Sequence, residues 1–350
     1  MSPAPTSPAS SRTTRLLVLL AAVLLLGAVG TYSVLHAAGR AARVNQQQAG
    51  GPPVATGSVT LAHAAGGPQL VFRSMAFGPH RDELSTVPVD HPDAVRTASG
   101  VKCLRFHAAA GTGICLRADH GAVQDTYHAV VLDAGLHELK SFPLSGIPTR
   151  SRVSPSGHLA AWTVFVSGDS YGGTNFSTRT SIVDTRNWRL EDNLETFTVL
   201  KDGQRVQSQD VNVWGVTFAD DNAFYATVAT GGQTYLVHGD LAARTLTTMH
   251  QNVECPSLSP DGTRIAYKHR VPGATNDVPW QLYVLDLRTG VETPTAEQRS
   301  VDDQAIWSDD STLVYSLPGD NGSDLWTVPA DGSGSPRELI GDALAPAFLG

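Results

Sequence analysis

The chain has 350 residues, of which 41% are hydrophobic and 17% charged, and it contains 33 glycines and 21 prolines. This composition can build a core but suits many turns rather than long helices. Four of the 25 basic residues and none of the 33 acidic ones lie in the first 50 positions, so the rest of the chain has 21 basic against 33 acidic side chains and a net charge of −12. A domain with this charge repels nucleic acid and anionic lipid headgroups, so we expect neither as a partner.

The N-terminal part predicts three segments that precede the main domain, 61–350. Residues 1–15 form a Ser/Pro/Thr-rich cytoplasmic tail, 16–36 a transmembrane helix or signal anchor, and 37–60 a flexible linker. The uncharged run Leu16–Leu35 has the roughly 20 residues that a helix needs to cross a ~30 Å hydrocarbon core. A cleaved signal peptide is the alternative, because "HAAGRAA" offers small residues for cleavage, but its apolar stretch would be shorter. We therefore expect a single-pass protein of the cell membrane, with its main domain on the extracytoplasmic side and no other contact with the lipid.

Three cysteines agree with an extracytoplasmic location. Cys103 and Cys115 flank "LRFHAAAGTGI", and a hairpin turn near Ala109 would place them almost opposite each other on antiparallel strands. Facing residues of such strands have Cα atoms ~4.5–5.5 Å apart, which is within disulfide range. We expect a Cys103–Cys115 disulfide, with two buried thiols as the alternative. Cys255 is left as a buried free thiol, and no spacing of cysteines and histidines predicts zinc.

One stretch, "SLSPDGTRIAY", contains a tight turn followed by a strand. After Ser259, Pro260 presets φ for a type I turn, Asp261 tolerates the next position, and Gly262 accepts a left-handed conformation. The apolar segment "LYVLDL" then predicts a strand that is covered on both faces. The turn "RTG" leads to a further strand, "VETPTA". One unit therefore has four strands, with the SPDG turn between the first two.

Units of this kind recur along the chain at intervals of about 40 residues. A later copy spans 301–340, and earlier copies begin near Val213 and Ser151, with two degenerate copies before them. The first copy lacks its opening strand, and Ala343–Gly350 looks like an opening strand that stands alone. Pairing of this segment beside Leu70–Arg73 would close a ring and remove exposed sheet edges. We predict an all-β fold, a six-bladed β-propeller of four-stranded blades closed by the C-terminal strand.

The motif "LSPDGTRIAY…LYVLDLRTG" resembles the repeat of the TolB-like propeller family, also described as PD40 or WD40-like repeats. The resemblance is specific over 253–340, fair over 146–250 and weak over 68–141. It implies a six-bladed propeller in which the SPDG residues are structural, with no catalytic residues and no cofactor. Ser156 replaces the aspartate in one copy, and "ADDN" and "SDDS" replace "SPDG" in two others.

The family includes periplasmic partners of a cell-envelope translocation system. That role needs an outer membrane and is not extended to this chain, because its Ala-, Gly- and Arg-rich composition hints at a high-GC bacterium without one.

We find no catalytic constellation. The loop "GDSYGG", 168–173, resembles a protease nucleophile loop, but no histidine and aspartate stand in a context suited to activate it. Asp320 and Asp324 in "PGDNGSD" are weak candidates for calcium ligands, but the bidentate glutamate is absent and a polar turn explains them. Four other aspartates either form an acidic rim at the mouth of the propeller or, as we favour, cap turns: Asp302, Asp303, Asp309 and Asp310.

The leading hypothesis is a non-enzymatic binding or scaffolding module whose partner is another envelope or secreted protein. The alternatives are a propeller hydrolase or lyase with a site in the channel, and a sensory ectodomain that signals through a separate partner. Convergent carboxylates or histidines in the channel would favour an enzyme. An apolar or plugged channel would favour the binding module.

Overall fold

The computed structural model describes residues 12–46, 51–63, 67–121, 124–166, 177–275 and 278–350. The chain divides into two units, a helical unit that also takes in Phe77–Pro79 and a β-propeller. In the helical unit, helix α1 spans Arg12–Asn45 and ends nine residues beyond the predicted transmembrane segment. Its apolar side chains are exposed, and its length and composition would allow it to cross a membrane, a property that signal sequences share.

The first three blades are one five-stranded sheet and two four-stranded sheets. Blade 1 contains β1 (Val54–Thr56), β2 (Gln69–Ser74), β3 (Glu83–Pro88), β4 (Arg96–Lys102) and the last strand, β27 (Ala343–Leu349). Blade 2 contains β5 (Arg105–Ala109), β6 (Thr112–His120), β7 (Asp125–Leu132) and β8 (Glu138–Leu144). Blade 3 contains β9 (Ile147–Val153), β10 (Leu159–Val166), β11 (Ser177–Asp184) and β12 (Leu190–Glu191), and a 3₁₀ helix, Leu194–Thr196, follows it.

Three further blades complete the ring. Blade 4 contains β13 (Thr198–Lys201), β14 (Gln204–Arg205), β15 (Asn212–Phe218), β16 (Ala223–Thr230), β17 (Gln233–Asp240) and β18 (Thr245–Gln251). Blade 5 contains β19 (Glu254–Leu258), β20 (Arg264–Arg270), β21 (Trp280–Asp286) and β22 (Glu292–Pro294). Blade 6 contains β23 (Ile306–Trp307), β24 (Thr312–Leu317), β25 (Asp324–Pro329) and β26 (Arg337–Ile340).

Strands from opposite ends of the propeller close the ring. β27 pairs antiparallel with β2, with Phe348 opposite Leu70 and Ala347 opposite Val71. It takes the inner position that each other blade fills with its own strand. The predicted fold class and the predicted pairing of the C-terminal segment are therefore confirmed.

The core consists of apolar layers between neighbouring blades rather than one central cluster. In the layer between blades 3 and 4, for example, Leu159 and Ile182 pack with Phe218 and Phe224. Other layers join blades 1 and 2, 2 and 3, 4 and 5, 5 and 6, and 6 and 1. Because both faces of each sheet are covered, its strands are largely apolar, as in β10, "LAAWTVFV".

The outer edges of two blades differ from the four-stranded prediction. β1 lies within the predicted linker, 37–60, and pairs parallel with β4, with Val54 opposite Arg96. β13 follows blade 3 in sequence but pairs parallel with β18 of blade 4, with Thr198 opposite Thr245. Both additions satisfy backbone groups that an open edge would expose. Local strand propensity could not predict these two edge strands, because each depends on pairing with a sheet that is distant in sequence.

The predicted disulfide is present. Cys103 and Cys115 are bonded, with their Cα atoms 5.4 Å apart, and Cys255 is a buried free thiol. The predicted register differs slightly, because Phe106 lies directly opposite Cys115 and Cys103 precedes β5. The bond therefore fastens the connection between blades 1 and 2 to the second strand of blade 2.

A buried arginine supports the closure. Arg96 is 3% exposed, donates to the carbonyl of Asp342 at 3.1 Å and to that of Gly341, and lies 5.2 Å from the ring of Phe72. Burial lowers the pKa of Arg96 to about 10, and Asp342 opposes this shift, so the guanidinium stays charged at neutral pH. Arg96 thus connects the fourth strand of blade 1 to the residues that lead into β27.

Replacing Arg96 with methionine should lower the free energy of unfolding by about 2 kcal/mol, because two partly buried carbonyls lose their charged donor. Urea unfolding of the full chain in detergent micelles would measure the loss. The matched control is Arg189→Met, which removes an exposed arginine and should change stability by less than about 0.5 kcal/mol. Equal stability of the two variants would contradict the role of Arg96 in closure.

Candidate functional site: the central channel

Six inner strands surround the central channel, one from each blade: β27, β5, β9, β15, β19 and β23. Each is the edge strand of its sheet, and successive ones are in contact from β27 through β5, β9, β15 and β19 to β23. β23 has only two residues, and the segment before it, 302–305, supplies channel side chains in its place.

The two ends of the channel carry different loops. The SPDG-type turns between first and second strands, such as 259–262, lie at one end, the turn face. The connections between blades, such as 301–305, lie at the other end, the connection face. Because neighbouring strands are antiparallel, loops between second and third strands also lie on the connection face, and turns between third and fourth strands lie on the turn face.

Three inner strands bend at the same place through a bulge. Gly215 in β15, Cys255 in β19 and Ala345 in β27 have left-handed φ values of 68°, 50° and 53°, and the pairing register shifts at each of them. A bulge bends the strand and leaves backbone groups without a ladder partner. At position 215 only glycine fits, since a Cβ would lie 2.8 Å from the Cα of Cys255.

Gln304 supplies donors to the carbonyls near two of these bulges. Its Nε2 donates to the carbonyl of Pro256 at 2.6 Å, and lies 3.3 Å and 3.4 Å from the carbonyls of Val216 and Gly215. One side chain from blade 6 thereby joins the inner strands of blades 4 and 5. Between Gln304 and Trp162 the side chains leave no room for a water molecule.

Three arginines and one aspartate lie beside Gln304. Arg150 and Arg152 are alternate residues of β9, so they point to the same side, and Arg105 begins the neighbouring strand β5. Asp303 accepts a hydrogen bond from Arg105 at 2.9 Å and lies 3.5 Å from a guanidinium nitrogen of Arg150. Arg152, 7% exposed, donates a long bond of 3.4 Å to the carbonyl of Ala305. We name these four charged residues the channel cluster.

The electrostatics of the channel cluster keep all four groups charged. Burial raises the pKa of Asp303, but Arg105 and Arg150 outweigh it and hold that pKa at about 2. Burial lowers the pKa of Arg152 to about 10, and Asp303 opposes this shift. Burial, together with the charge of Arg152, also lowers the pKa of His107 well below its ordinary value. At neutral pH the site therefore combines three cations, one carboxylate and a neutral imidazole.

A second charged group lies beside the cluster. Lys268 is buried, with its Nζ 2.6 Å from a carboxylate oxygen of Asp302 and 3.9 Å from Glu254. The same Nζ lies 4.4 Å from the ring of Trp280, and the guanidinium of Arg270 lies 4.7 Å from that ring. Trp280 is thus covered by cations of the protein itself.

The SPDG turn of blade 5 forms hydrogen bonds within itself and with blade 6. Gly262 donates its N–H to the carbonyl of Ser259 at 2.9 Å, and Asp261 accepts from the N–H of Thr263 at 3.0 Å. The N–H of Asp261 donates to the carboxylate of Asp310 at 2.9 Å.

The departures from SPDG keep the turn and add contacts between blades. Asp309 replaces the proline of the repeat and accepts from the N–H of Ser311 at 2.7 Å. In blade 4, Asp221 accepts from Ser156 and lies 2.7 Å from Nδ1 of His158, both in blade 3. The serine that replaces aspartate in blade 3 is therefore a donor to the next blade.

The structure separates the four aspartates that the sequence grouped together. Asp309 and Asp310 lie in a turn, as favoured. The prediction was wrong for Asp303, which is an internal counter-ion of two arginines, and Asp302 pairs with Lys268. In the described part of the chain these four aspartates do not form an acidic rim, because the cations of blades 2, 3 and 5 approach the segment before β23.

The remaining sequence candidates lie apart from the channel cluster. Asp324 accepts from the N–H of Asp342 at 2.7 Å, and Asp320 is exposed. Within the described ranges, no three His, Cys, Asp or Glu side chains lie together as metal ligands. The loop 168–173 lies outside the described residues.

Sequence reasoning missed the arginines and Gln304. The one signal was "TRSRV", in which Arg150 and Arg152 alternate in the opening strand of a blade. In a propeller, alternate residues of such a strand face the channel, so this pattern indicated a basic lining.

Comparisons with known proteins show similarity in structure and none in sequence. No protein-family model and no curated protein matches the sequence. TolB from Acinetobacter baumannii superposes with a TM-score of 0.52 and 19% identity, over 81% of this chain and 66% of TolB. The chain has the fold of TolB-like β-propellers. The predicted resemblance is thereby confirmed for the fold.

Two hydrolases share this fold. A puromycin-hydrolyzing peptidase of Mycobacterium tuberculosis and a puromycin hydrolase each superpose with a TM-score of 0.50 over 81% of this chain, at 13% and 16% identity. The chain covers 46% and 45% of those proteins and just under two thirds of TolB. At these identities the similarity establishes the architecture but not an activity.

Asp303→Asn should make the stability of the protein less dependent on pH. Because folding depresses the pKa of Asp303 from 3.8 to about 2, the carboxylate stabilises the fold above pH 4, and this contribution disappears as the pH falls towards 2. As the pH falls across this interval, the free energy of unfolding of wild type should decrease by about 2 kcal/mol through this group. That of the variant should lack this decrease. At pH 7 the variant should be about 3 kcal/mol less stable, since buried arginines lose their counter-ion.

Urea unfolding of the full chain in detergent micelles between pH 2 and 7 would test this expectation. Asp202→Asn, at an exposed aspartate, is the matched control and should follow wild type throughout. A variant at position 303 with wild-type stability at pH 7 would show that the carboxylate does not hold the cluster together.

Proposed function

We propose that the protein is a non-enzymatic, membrane-tethered propeller that binds another envelope or secreted protein on the outer side of the cell membrane. The observation that carries this proposal is the small space left among the polar side chains of the channel. Gln304 donates to a strand carbonyl, Asp303 accepts from Arg105, and the cavity beside them has a volume of about 30 Å³. An enzyme with a channel site would need more room for a substrate at this position. The loop-bearing faces of the ring are therefore the better surfaces for binding.

The proposed location rests on α1 and the disulfide. α1 has 34 residues, which at 1.5 Å per residue is longer than a ~30 Å hydrocarbon core. Disulfides persist in oxidising compartments, which supports an extracytoplasmic position for the Cys103–Cys115 bond. The apolar run in α1 is longer than that of signal peptides. This length supports retention of α1 as an anchor rather than its removal.

Mass spectrometry of the protein from the membrane fraction should find peptides that precede α1, because an anchor is not removed. In a variant with both Ala37 and Ala38 replaced by leucine, the mature protein should differ in mass from wild type only by the two substitutions, since no cleavage depends on these small residues. An N-terminus near Gly39 in wild type, lost in the double variant, would instead show that α1 is a signal peptide.

The connection face is the proposed binding surface. Ile147, which begins β9, is 59% exposed, and Val278, in the loop between β20 and β21, is 55% exposed. Both lie on the face at which the chain connects one blade to the next. The exposed apolar side chains and the charged channel mouth of this face can supply the apolar and the polar contacts of an interface.

Ile147→Glu should weaken capture of the partner at least tenfold, because a carboxylate would be buried against an apolar surface. Surface cross-linking of intact cells, purification of the full chain and quantitative mass spectrometry would measure the enrichment. Val291→Glu is the matched control, since Val291 is 58% exposed but lies in a turn between third and fourth strands on the turn face.

The result expected is one protein enriched by wild type and by the Val291 variant but not by the Ile147 variant. Absence of any protein enriched over an unrelated propeller would contradict a binding function. Loss of capture in both variants would place the interface elsewhere and contradict the assignment to the connection face.

A further inference from the structure

The channel cluster has two more positive charges than negative ones. Arg105, Arg150 and Arg152 face one carboxylate, Asp303, whose two oxygens are directed at Arg105 and Arg150. Buried charges that lack a counter-ion are costly, so a surplus of this kind requires compensation.

Among the described residues, the neighbouring carboxylates lie closer to other cations than to the cluster. Asp302 lies 2.6 Å from Lys268, which also faces Glu254 at 3.9 Å. Asp82, the acidic residue next to β2, is 2.6 Å from Arg73. With Arg270 as a second cation acting on Glu254, the three carboxylates face three cations outside the cluster, and the surplus remains in the cluster.

Several donors of the cluster have no acceptor within the described part of the chain. Nε of Arg150 and Nε of Arg152 are buried without a partner. Arg152 has five N–H groups, and the bond of 3.4 Å to the carbonyl of Ala305 uses one of them. His107 accepts the N–H of Val153 at Nδ1, so its neutral ring carries the proton on Nε2 and presents a further donor.

A cavity lies where these donors meet. Its volume is about 30 Å³, and the lining includes Arg105, His107, Arg150, Arg152 and Asp303. A site of this size exceeds the 10–15 Å³ that one water molecule needs but has no room for a tetrahedral oxyanion with its own shell of donors. The cavity thus combines surplus positive charge, unused donors and space for one small particle.

We propose that this cavity binds one monovalent anion of halide size, between Arg152 and the guanidinium groups of Arg105 and Arg150. Such an anion would accept from the unused donors and would lower the surplus charge of the cluster from +2 to +1. It would thereby hold β5 and β9 together at the channel wall. The proposal concerns an internal structural ion and does not depend on the proposed binding function.

Chloride should raise the melting temperature of the full chain in detergent micelles relative to gluconate at equal ionic strength. The rise should saturate and reach about 2 °C at ten times the dissociation constant, because the anion binds only the folded state. Bromide should act like chloride, whereas sulfate at matched ionic strength should act like gluconate, because neither of these two anions fits the cavity.

Arg152→Met should abolish the difference between chloride and gluconate, whatever its effect on the melting temperature itself. Arg189→Met, at an exposed arginine, should retain the difference. Anomalous diffraction from wild-type crystals grown in bromide provides a second measurement that needs no variant, and we expect a peak within hydrogen-bond distance of Arg152. The proposal is overturned by equal melting temperatures in chloride and gluconate, by a chloride effect that survives in the Arg152 variant, or by a bromide-free cavity.

Discussion

The antiparallel pairing of β27 with β2 is the contact on which the rest of the propeller depends. It completes blade 1 from two distant segments, so every other blade keeps a neighbour on each side. The apolar layers lie between blades, and each needs both of its sheets in place. Arg96 strengthens this closure by binding the carbonyls that lead into β27. Closure therefore acts on the whole ring through the layers on both sides of blade 1.

Bends in the inner strands leave backbone carbonyls that need hydrogen-bond donors from polar side chains. Bulges at Gly215 and Cys255 allow β15 and β19 to approach each other but leave carbonyls without ladder partners. Gln304, from blade 6, donates a hydrogen bond to one such carbonyl, that of Pro256. Asp303, its neighbour in sequence, pairs with Arg105 and Arg150 from blades 2 and 3. A two-residue segment thus connects four other blades across the channel, and the proposed anion would complete the same network.

This arrangement affects how function is assigned on a shared fold. Similar rings occur in TolB and in two hydrolases, so the fold alone does not distinguish a binding module from an enzyme. The interior of the channel carries more information, because a catalytic site needs space as well as reactive groups. Here Asp303 and Gln304 are bonded to neighbouring groups of the protein, and the exposed apolar residues Ile147 and Val278 lie on the connection face. The faces of the ring are therefore the better place to look for function.

The turns illustrate how far prediction from sequence could reach. The SPDG turn of 259–262 and its four-stranded unit follow from local preferences of proline, aspartate and glycine, and the structure shows the expected bonds. The departures in blades 4 and 6 retain the turn because aspartate side chains accept backbone N–H bonds in place of the proline constraint. Their contacts with neighbouring blades were not predictable, because the partner turn is about 50 residues or more away in sequence.

The sequence by itself determined the all-β architecture, the six repeats, the apolar helix and the pairing of Cys103 with Cys115. Each of these follows from local patterns, such as repeat spacing, hydrophobic run length and turn chemistry, that do not need the rest of the fold. Only the tertiary structure decided that β1 and β13 extend other blades, that Asp303 is an internal counter-ion and that Gln304 joins the inner strands of blades 4 and 5. The physical reason is that these roles arise from the side chains of distant blades meeting on one axis. Charge and hydrogen bonding there depend on which groups converge, and that convergence exists only once the ring has closed.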